Sequence, residues 1–302
     1  MNKIYGFLII AGLVIVALAP ELLQARNKKN SCSGCCCGSK CCPQPEINTV
    51  KNNSTATKED IKKIYTQVAD NARCSFGGKS CGCRAKVSED IGYTRKDLDE
   101  LADANLGLGC GNPILLGDIK EGATIIDLGS GAGLDCFLAA RKVGQKGKVI
   151  GLDISEAMIK KASANAIRYG YSNVEFKLGD IENMPIENET ADIIISNCVL
   201  SLASDKEVAF KEAFRTLKPG GRMYVSDIVL LAPLTEEQKN DARLRGTCVL
   251  GAIDKTSYLE KLARTGFEVA IIDEDTCINK TKYDNESLPI SSLKYLAIKP
   301  NV

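Results

Sequence analysis

The strongest constraint on the fold is a regular alternation of short apolar runs with amphipathic helical segments in the second half of the chain. The runs are ATIIDLG, KVIGLD, NVEFKLG, ADIIISN and RMYVSDIVL, followed later by FEVAIID and SLKYLAIK. Helical patterns begin near Leu134, Glu156 and Asp205, and a further one spans Thr256 to Thr265. Strands that alternate with helices usually pair in parallel. The sequence therefore predicts an α/β, doubly wound and mostly parallel sheet of about seven strands, with ligands bound at the carboxyl ends of the strands.

The first part of the chain is an apolar segment. Residues 4–19, IYGFLIIAGLVIVALA, carry no charge, and we expect residues 1–25 to be a membrane anchor or a signal-like segment. The proline after this run disfavours cleavage. Basic residues that follow the segment, Arg26, Lys28 and Lys29, favour an uncleaved anchor that leaves the rest of the chain in the cytoplasm.

Three further regions follow the apolar segment. Residues 26–57 are predicted to be a flexible linker, residues 58–122 a helical and loop region, and residues 123–302 the sheet domain. The linker contains six closely spaced cysteines: Cys32, Cys35, Cys36, Cys37, Cys41 and Cys42. Adjacent thiols in a glycine-bearing tract are typical of a ligand for a soft metal or metalloid, and a plain spacer is the alternative.

The composition excludes several kinds of function. The 302-residue chain contains no histidine, so Ser-His-Asp chemistry and histidine-bound metals are absent. With 39 basic and 38 acidic residues the net charge is +1, which gives no electrostatic surface for nucleic acid. We therefore expect a small-molecule substrate. Because the chain has fourteen cysteines, thiolates are the leading candidates for its chemistry.

A glycine-rich turn follows the first strand of the predicted sheet. Gly129, Ser130, Gly131 and Gly133 lie in the sequence GSGAG, which leads directly into a helix. Glycines at such a junction allow a tight turn, and the helix N-terminus offers free backbone N–H groups to a ligand. The GxGxG spacing differs from the GxGxxG pattern of dinucleotide sites, and it favours a smaller nucleoside ligand.

Acidic residues lie near the ends of three successive strands: Asp127, Asp153 and Asp180. A carboxylate only accepts hydrogen bonds, so it suits a ligand that presents hydroxyl and amine donors. This arrangement resembles the class I S-adenosylmethionine-dependent methyltransferases. The resemblance implies a Rossmann-like methyltransferase sheet in which Asp153 holds the ribose hydroxyls and Asp180 contacts the adenine amine. The further cofactor-binding candidates are Ile154, Met158, Ile181 and Asn197, although Ile154 and Met158 equally suit ordinary helix core.

Three cysteines occupy positions suited to substrate binding. Cys198 directly follows the strand ADIIISN, at the crevice beside the cofactor. Cys110 lies in the loop NLGLGCGNP, whose glycines and proline predict a backbone that folds over a ligand. Cys248 follows the fifth strand, near Arg243 and Arg245, which would favour its thiolate.

From about Tyr93 to Gly251 the chain resembles the arsenite methyltransferases, because five motifs occur in the order found in that family. The motifs are ANLGLGCGNP, IIDLGSGAGLDCFLAA, VIGLDIS, IISNCVLSL and FRTLKPGGRMYVSDIV. The resemblance implies that Cys110, Cys198 and Cys248 bind trivalent arsenic. It also implies S-adenosylmethionine as methyl donor and a reductant of thioredoxin or glutathione type as co-substrate. Auxiliary thiols would come from the loop that contains Cys74, Cys81 and Cys83.

The chemistry agrees with this resemblance. Trivalent arsenic is a soft centre that prefers thiolates, and its lone pair can attack a sulfonium methyl group without a general base. Two alternatives remain open: a carbon or oxygen methyltransferase acting on a quinone, sterol or lipid, and a non-enzymatic, membrane-tethered protein that binds metals. Cys136 is expected to be a small buried hydrophobic residue, and Cys277 has no assigned role.

Overall fold

A computed structural model describes residues 7–10, 13–16, 56–70 and 82–301, with the backbone alone for 7–10, 13–16 and 82–84. The strands are β1 (Phe7–Ile10), β2 (Leu13–Val16), β3 (Thr124–Leu128), β4 (Lys148–Asp153), β5 (Val174–Leu178), β6 (Ala191–Asn197), β7 (Leu217–Leu230), β8 (Glu268–Asp275) and β9 (Ile290–Ile298). The helices are α1 (Lys58–Asp70), α2 (Gly82–Asp90), α3 (Arg95–Glu100), α4 (Leu134–Val143), α5 (Glu156–Tyr169), α6 (Lys206–Thr216), α7 (Glu236–Asn240), α8 (Cys248–Gly251), α9 (Lys255–Arg264) and α10 (Ile278–Tyr283).

The main sheet has the predicted doubly wound arrangement. Seven strands lie in the order β8-β9-β7-β6-β3-β4-β5. The five strands from β3 to β7 pair in parallel, whereas β9 is antiparallel to both of its neighbours. The chain order reverses between β3 and β6, and the carboxyl ends of these two strands meet at one edge of the sheet. Ligands bind at such a reversal point, so the fold places the candidate site there.

Both faces of the sheet are covered, which explains the continuous apolar character of its strands. Ile125 and Ile195 face one side and pack in a cluster with Phe137 of α4. Ile126, which points to the opposite side, packs with Phe210 of α6. The helices also begin where the sequence predicts them. Helices α4 and α5 begin at Leu134 and Glu156, and Asp205 caps the start of α6. Helix α10 is the main element that the pattern did not indicate.

The N-terminal part of the chain is described only in two short strands. Strand β1 pairs antiparallel with β2, and β2 meets β8 in parallel at Ile15 and Val269. The predicted anchor, residues 4–19, lies otherwise outside the described residues. No helix within the described ranges is long and apolar enough to cross a membrane. The cysteines of the tract 32–42, Cys74 and Cys81 also lie outside the described residues, and Cys83 is described by its backbone alone.

Candidate active site

A deep cleft opens at the carboxyl edge of β3, β4 and β6. It encloses about 1130 Å³, including its open mouth, and α1 covers part of it. The sequence-predicted residues that line it are Asp127, Gly129, Ser130, Gly131, Asp153, Ile154, Asp180, Ile181, Asn197 and Cys198. Gly133 and Met158 do not line the cleft. Met158 is fully buried and packs against Ala132 beneath it, so the structure places this residue in the core rather than against a ligand.

The glycine turn and Asp153 are fixed to each other by hydrogen bonds. Gly129, Gly131 and Gly133 all have positive φ angles, of 69°, 53° and 96°. This conformation directs the N–H of Gly131 to Oδ2 of Asp153 at 2.9 Å, while the N–H of Ser155 donates to Oδ1, also at 2.9 Å. Burial raises the pKa of Asp153. The carboxylate is therefore held rigidly at the end of β4, where it faces the cleft.

Asp180 has a cationic partner that the sequence did not reveal. Lys58, the first residue of α1, places Nζ 2.6 Å from Oδ2 of Asp180 and 2.9 Å from Oε2 of Glu182. Burial alone would lower the pKa of Lys58, but the hydrogen bonds from these two carboxylates raise it. The ion pair attaches the start of α1 to the far rim of the cleft.

Two buried carboxylates stand side by side below the glycine turn. Asp127 is 2% exposed and accepts a hydrogen bond from the Cys136 thiol at 3.1 Å. Asp135 accepts from Tyr93 Oη at 2.6 Å and from Asn197 Nδ2 at 3.2 Å. Burial raises the pKa of Asp135 to about 6, and burial also raises that of Asp127. Within the described part of the chain no salt bridge joins either carboxylate to a lysine or arginine.

Asn197 connects this polar network to the loop that contains Cys110. Its Oδ1 accepts from the Cys110 N–H at 2.9 Å, and its Nδ2 donates to the Gly111 carbonyl at 2.8 Å and to Tyr93 Oη at 2.8 Å. Ser292 donates to the Cys110 carbonyl at 2.7 Å from the other side. We predicted Asn197 as a cofactor residue from the sequence, and the structure shows it at the cleft wall with its amide engaged in positioning this loop.

Cys110, Cys198 and Cys248 are buried, free thiols. The Sγ atoms of Cys198 and Cys248 are 2.7 Å apart, and the Cys248 thiol also approaches the Cys198 carbonyl at 2.8 Å. Cys110 donates its thiol hydrogen to the Ser226 carbonyl at 3.3 Å, and the same carbonyl accepts from the Cys198 N–H at 2.8 Å. Three cysteines that are distant in the sequence are thus assembled around the end of β6.

Lys282, at the end of α10, is a cation next to these thiols. Its Nζ lies 3.5 Å from Cys198 Sγ and donates to the Leu108 carbonyl. Burial raises the pKa of Cys198 and of Cys248, whereas the Lys282 cation acts to lower both. Arg243, which we expected to favour the Cys248 thiolate, is instead 72% exposed and paired with Asp241. The C-terminal part of the chain therefore supplies a cation to this pocket.

Asp227 is a further buried group behind the thiol pair. A ligand oxygen of Asp227 and the sulfur atoms of Cys198 and Cys248 all lie within 4.8 Å of one another. The carboxylate is fully buried and accepts a hydrogen bond from Tyr258 Oη at 3.1 Å. Burial raises the pKa of Asp227 to about 6. Asp227 gives no local sequence signal, because it lies inside β7 and not at a strand end.

Two remaining cysteines were assigned no place in the thiol triad. Cys136 is fully buried as expected, and its thiol additionally donates to Asp127. Cys277 is disulfide-bonded. It immediately precedes α10, the helix that carries Lys282.

Comparison with known proteins agrees with this geometry. Residues 119–266 match a family model described as a methyltransferase domain. The chain is 40% identical over 235 residues to an arsenite methyltransferase of Halobacterium salinarum, a match that covers 73% of this chain and 60% of the relative. It is 39% identical over 217 residues to the human arsenite methyltransferase, with 68% and 56% covered. The chain therefore spans somewhat more than half the length of these relatives.

A solved structure shows the same fold. The arsenic(III) S-adenosylmethionine methyltransferase of Chlamydomonas reinhardtii superimposes with a TM-score of 0.55 and 27% sequence identity. The superposition covers 72% of this chain and 73% of the algal one. The predicted resemblance in sequence and fold is confirmed.

Proposed function

The chain carries a methyltransferase domain and is a relative of the arsenite methyltransferases, and from this premise we propose that it transfers methyl groups from S-adenosylmethionine to trivalent arsenic. The observation that carries the proposal is the convergence of Cys110, Cys198 and Cys248 beside the cleft. A methyltransferase for carbon or oxygen acceptors has no need of three buried thiols at the carboxyl edge of its sheet.

The residues of the cleft fit S-adenosylmethionine by charge and by hydrogen-bonding capacity. Asp153 offers carboxylate oxygens to ribose hydroxyls, and Asp180 offers one to an adenine amine. Asp127 and Asp135 form the anionic end of the cleft, which suits the ammonium group of the methionine moiety. When bound, the cofactor supplies an electrophilic methyl group on a sulfonium centre.

The thiols hold the arsenic acceptor. Arsenous acid exchanges its three hydroxyl groups for three cysteine sulfurs, and each thiol proton leaves with a hydroxyl group as water. Thiolate ligation suits a soft centre and leaves the arsenic lone pair free. Methyl transfer to this lone pair would break the methyl–sulfonium bond, release the donor as a neutral thioether and raise the arsenic oxidation state by two, so a dithiol or two thiols of thioredoxin or glutathione type must return two electrons. No histidine is needed in this sequence of steps.

The assignments that remain predictions concern the regions outside this site. We propose that residues 123–302 form the catalytic domain and that residues 58–122 contribute Cys110 and auxiliary thiols. We also propose that the apolar segment 4–19 attaches the chain to a membrane. The catalytic domain then lies in the cytoplasm, where the methyl donor is made. Fractionation of cells that express the full chain tests the attachment, because recovery in the soluble fraction would contradict it.

The function is tested by incubating the full chain with arsenite, S-adenosylmethionine and a small thiol and then separating the arsenic species. We expect methylated arsenic from the wild type and none from Cys198→Ser, although the variant binds S-adenosylmethionine normally by calorimetry. If arsenite stays unmethylated while the cofactor binds, arsenic is the wrong substrate and an organic acceptor becomes the leading alternative. On that alternative, Cys198→Ser retains activity.

A further inference from the structure

The thiol pocket contains a second ligand set that arsenic does not require. Cys198 and Cys248 supply two sulfurs, and Asp227 supplies a carboxylate oxygen, with all three ligand atoms within 4.8 Å of one another. Asp227 is fully buried, accepts hydrogen bonds from Tyr258 Oη and from the Ile228 N–H, and interacts electrostatically with the buried Lys206 cation. A three-thiol arsenic site does not require a buried carboxylate beside two of its thiols, so the position of Asp227 needs another explanation.

We propose that Cys198, Asp227 and Cys248 bind a divalent cation of the zinc class, in competition with trivalent arsenic. Zinc binds both cysteine sulfur and aspartate oxygen, usually in a tetrahedral arrangement. Carboxylate oxygen is a hard ligand that soft trivalent arsenic disfavours. Asp227 therefore selects the cation, whereas Cys110 selects arsenic.

The charges of the pocket favour a bound cation. Two thiolates and the Asp227 carboxylate carry three negative charges, and two cations oppose them: Lys282, 3.5 Å from Cys198 Sγ, and the buried Lys206, whose charge acts on Asp227 and Cys248. The deprotonated ligands therefore leave one negative charge uncompensated in the interior, which is costly without a bound cation. Binding releases the protons of the two thiols and of the carboxyl group to solvent.

The geometry requires one small adjustment. Zinc–sulfur bonds of about 2.3 Å in a tetrahedron place two sulfurs roughly 3.8 Å apart, whereas the Sγ atoms of Cys198 and Cys248 are 2.7 Å apart. Zinc binding therefore requires the side chain of Cys248, the first residue of the short helix α8, to move away from that of Cys198. Of the three proposed ligands, Cys198 lines the cleft.

The test measures zinc bound by the reduced full chain after dialysis, and it compares Asp227→Asn with Cys110→Ser. The six-cysteine tract contributes equally to every variant, so differences report the pocket. We expect Asp227→Asn to bind zinc in the pocket at least about tenfold more weakly, and Cys110→Ser to bind it as the wild type does. Tyr258→Phe removes a hydrogen bond to Asp227 and keeps the ligand, so it should weaken zinc binding less than Asp227→Asn does.

A second measurement resolves individual cysteines. Iodoacetamide labelling followed by peptide mass spectrometry should show that zinc protects Cys198 and Cys248 but not Cys110, whereas arsenite protects all three. Added arsenite should also release more zinc from the wild type than from Asp227→Asn, by up to about one equivalent, since zinc held by the tract is common to both. Equal zinc binding by wild type and Asp227→Asn, or no zinc protection of Cys198 and Cys248 in the wild type, overturns the proposal. Because zinc binding is read without arsenic, absence of arsenic methylation leaves this test intact.

Discussion

The Cys198 backbone is left-handed, with a φ of 63°, which costs a residue other than glycine roughly 1 to 2 kcal/mol. The backbone around it compensates for this strain, because the Cys198 N–H is bonded to the Ser226 carbonyl inside β7. The conformation turns the chain sharply after β6 and places the thiol beside that of Cys248. Strain of this kind is typical of a functional position and supports the role proposed for Cys198.

Lys282 is expected to increase the thiolate fraction of Cys198. Replacing it by methionine removes the cation 3.5 Å from Sγ, so the pKa of Cys198 rises and the fraction of reactive thiolate at a given pH falls. We expect labelling of Cys198 by iodoacetamide at pH 8 to become roughly tenfold slower or more, and its pH profile to move to higher pH. Lys282→Arg should restore much of the rate, whereas a purely structural role for Lys282 would leave the pH profile in place.

At the level of elements, the loop that holds Cys110 depends on close contact between backbones. A Cβ atom on Gly111 would lie 2.4 Å from Ser226 Oγ, and one on Gly109 would lie 2.6 Å from Asn197 Nδ2. The sequence suggested a loop that folds over a ligand, and the structure shows it folded tightly onto β6 and β7 beside the site. The glycines are thus required for the position of Cys110.

Gly111→Ala is therefore expected to displace this loop. The clash should lower the free energy of unfolding by about 1 to 3 kcal/mol and weaken arsenite protection of Cys110, with S-adenosylmethionine binding retained. Urea unfolding and cysteine labelling measure the two effects. Combining the variant with Ser226→Gly removes the clashing side chain and should recover the protection. Failure of this rescue would show that the loop position does not depend on the contact.

Helix α1 closes the cleft through Lys58. Lys58→Met breaks the ion pairs with Asp180 and Glu182, which are partly exposed and so contribute at most about 1 kcal/mol. We expect S-adenosylmethionine to dissociate up to about fivefold faster, as measured by stopped-flow fluorescence. The control is Lys62→Met on the same helix, since Lys62 is exposed. An equal effect of both substitutions would indicate a general charge effect.

At the scale of the whole molecule, local patterns were sufficient for the sheet and for the cofactor side of the site. Asp153 was predictable because an acidic residue at the end of a strand, near a glycine turn, is a local signal. Cys198 was predictable because the strand that it follows is plainly apolar. Lys58, Asp227 and Lys282 were not predictable, since each acts on residues far away in the sequence and none belongs to a motif. Tertiary packing alone brings them together, as it brings α10 over the thiols.

The N-terminal region gives the last prediction, which concerns substrate supply. Deletion of residues 1–57 removes β1, β2 and the six-cysteine tract but leaves α1 and the seven-stranded sheet. If the tract binds arsenic, its thiols raise the local arsenic concentration near the pocket. Under the proposed function, the truncated protein should need more arsenite for half-maximal methylation and reach the same maximal rate. A dependence on arsenite identical to that of the full chain would show that the tract does not supply the site.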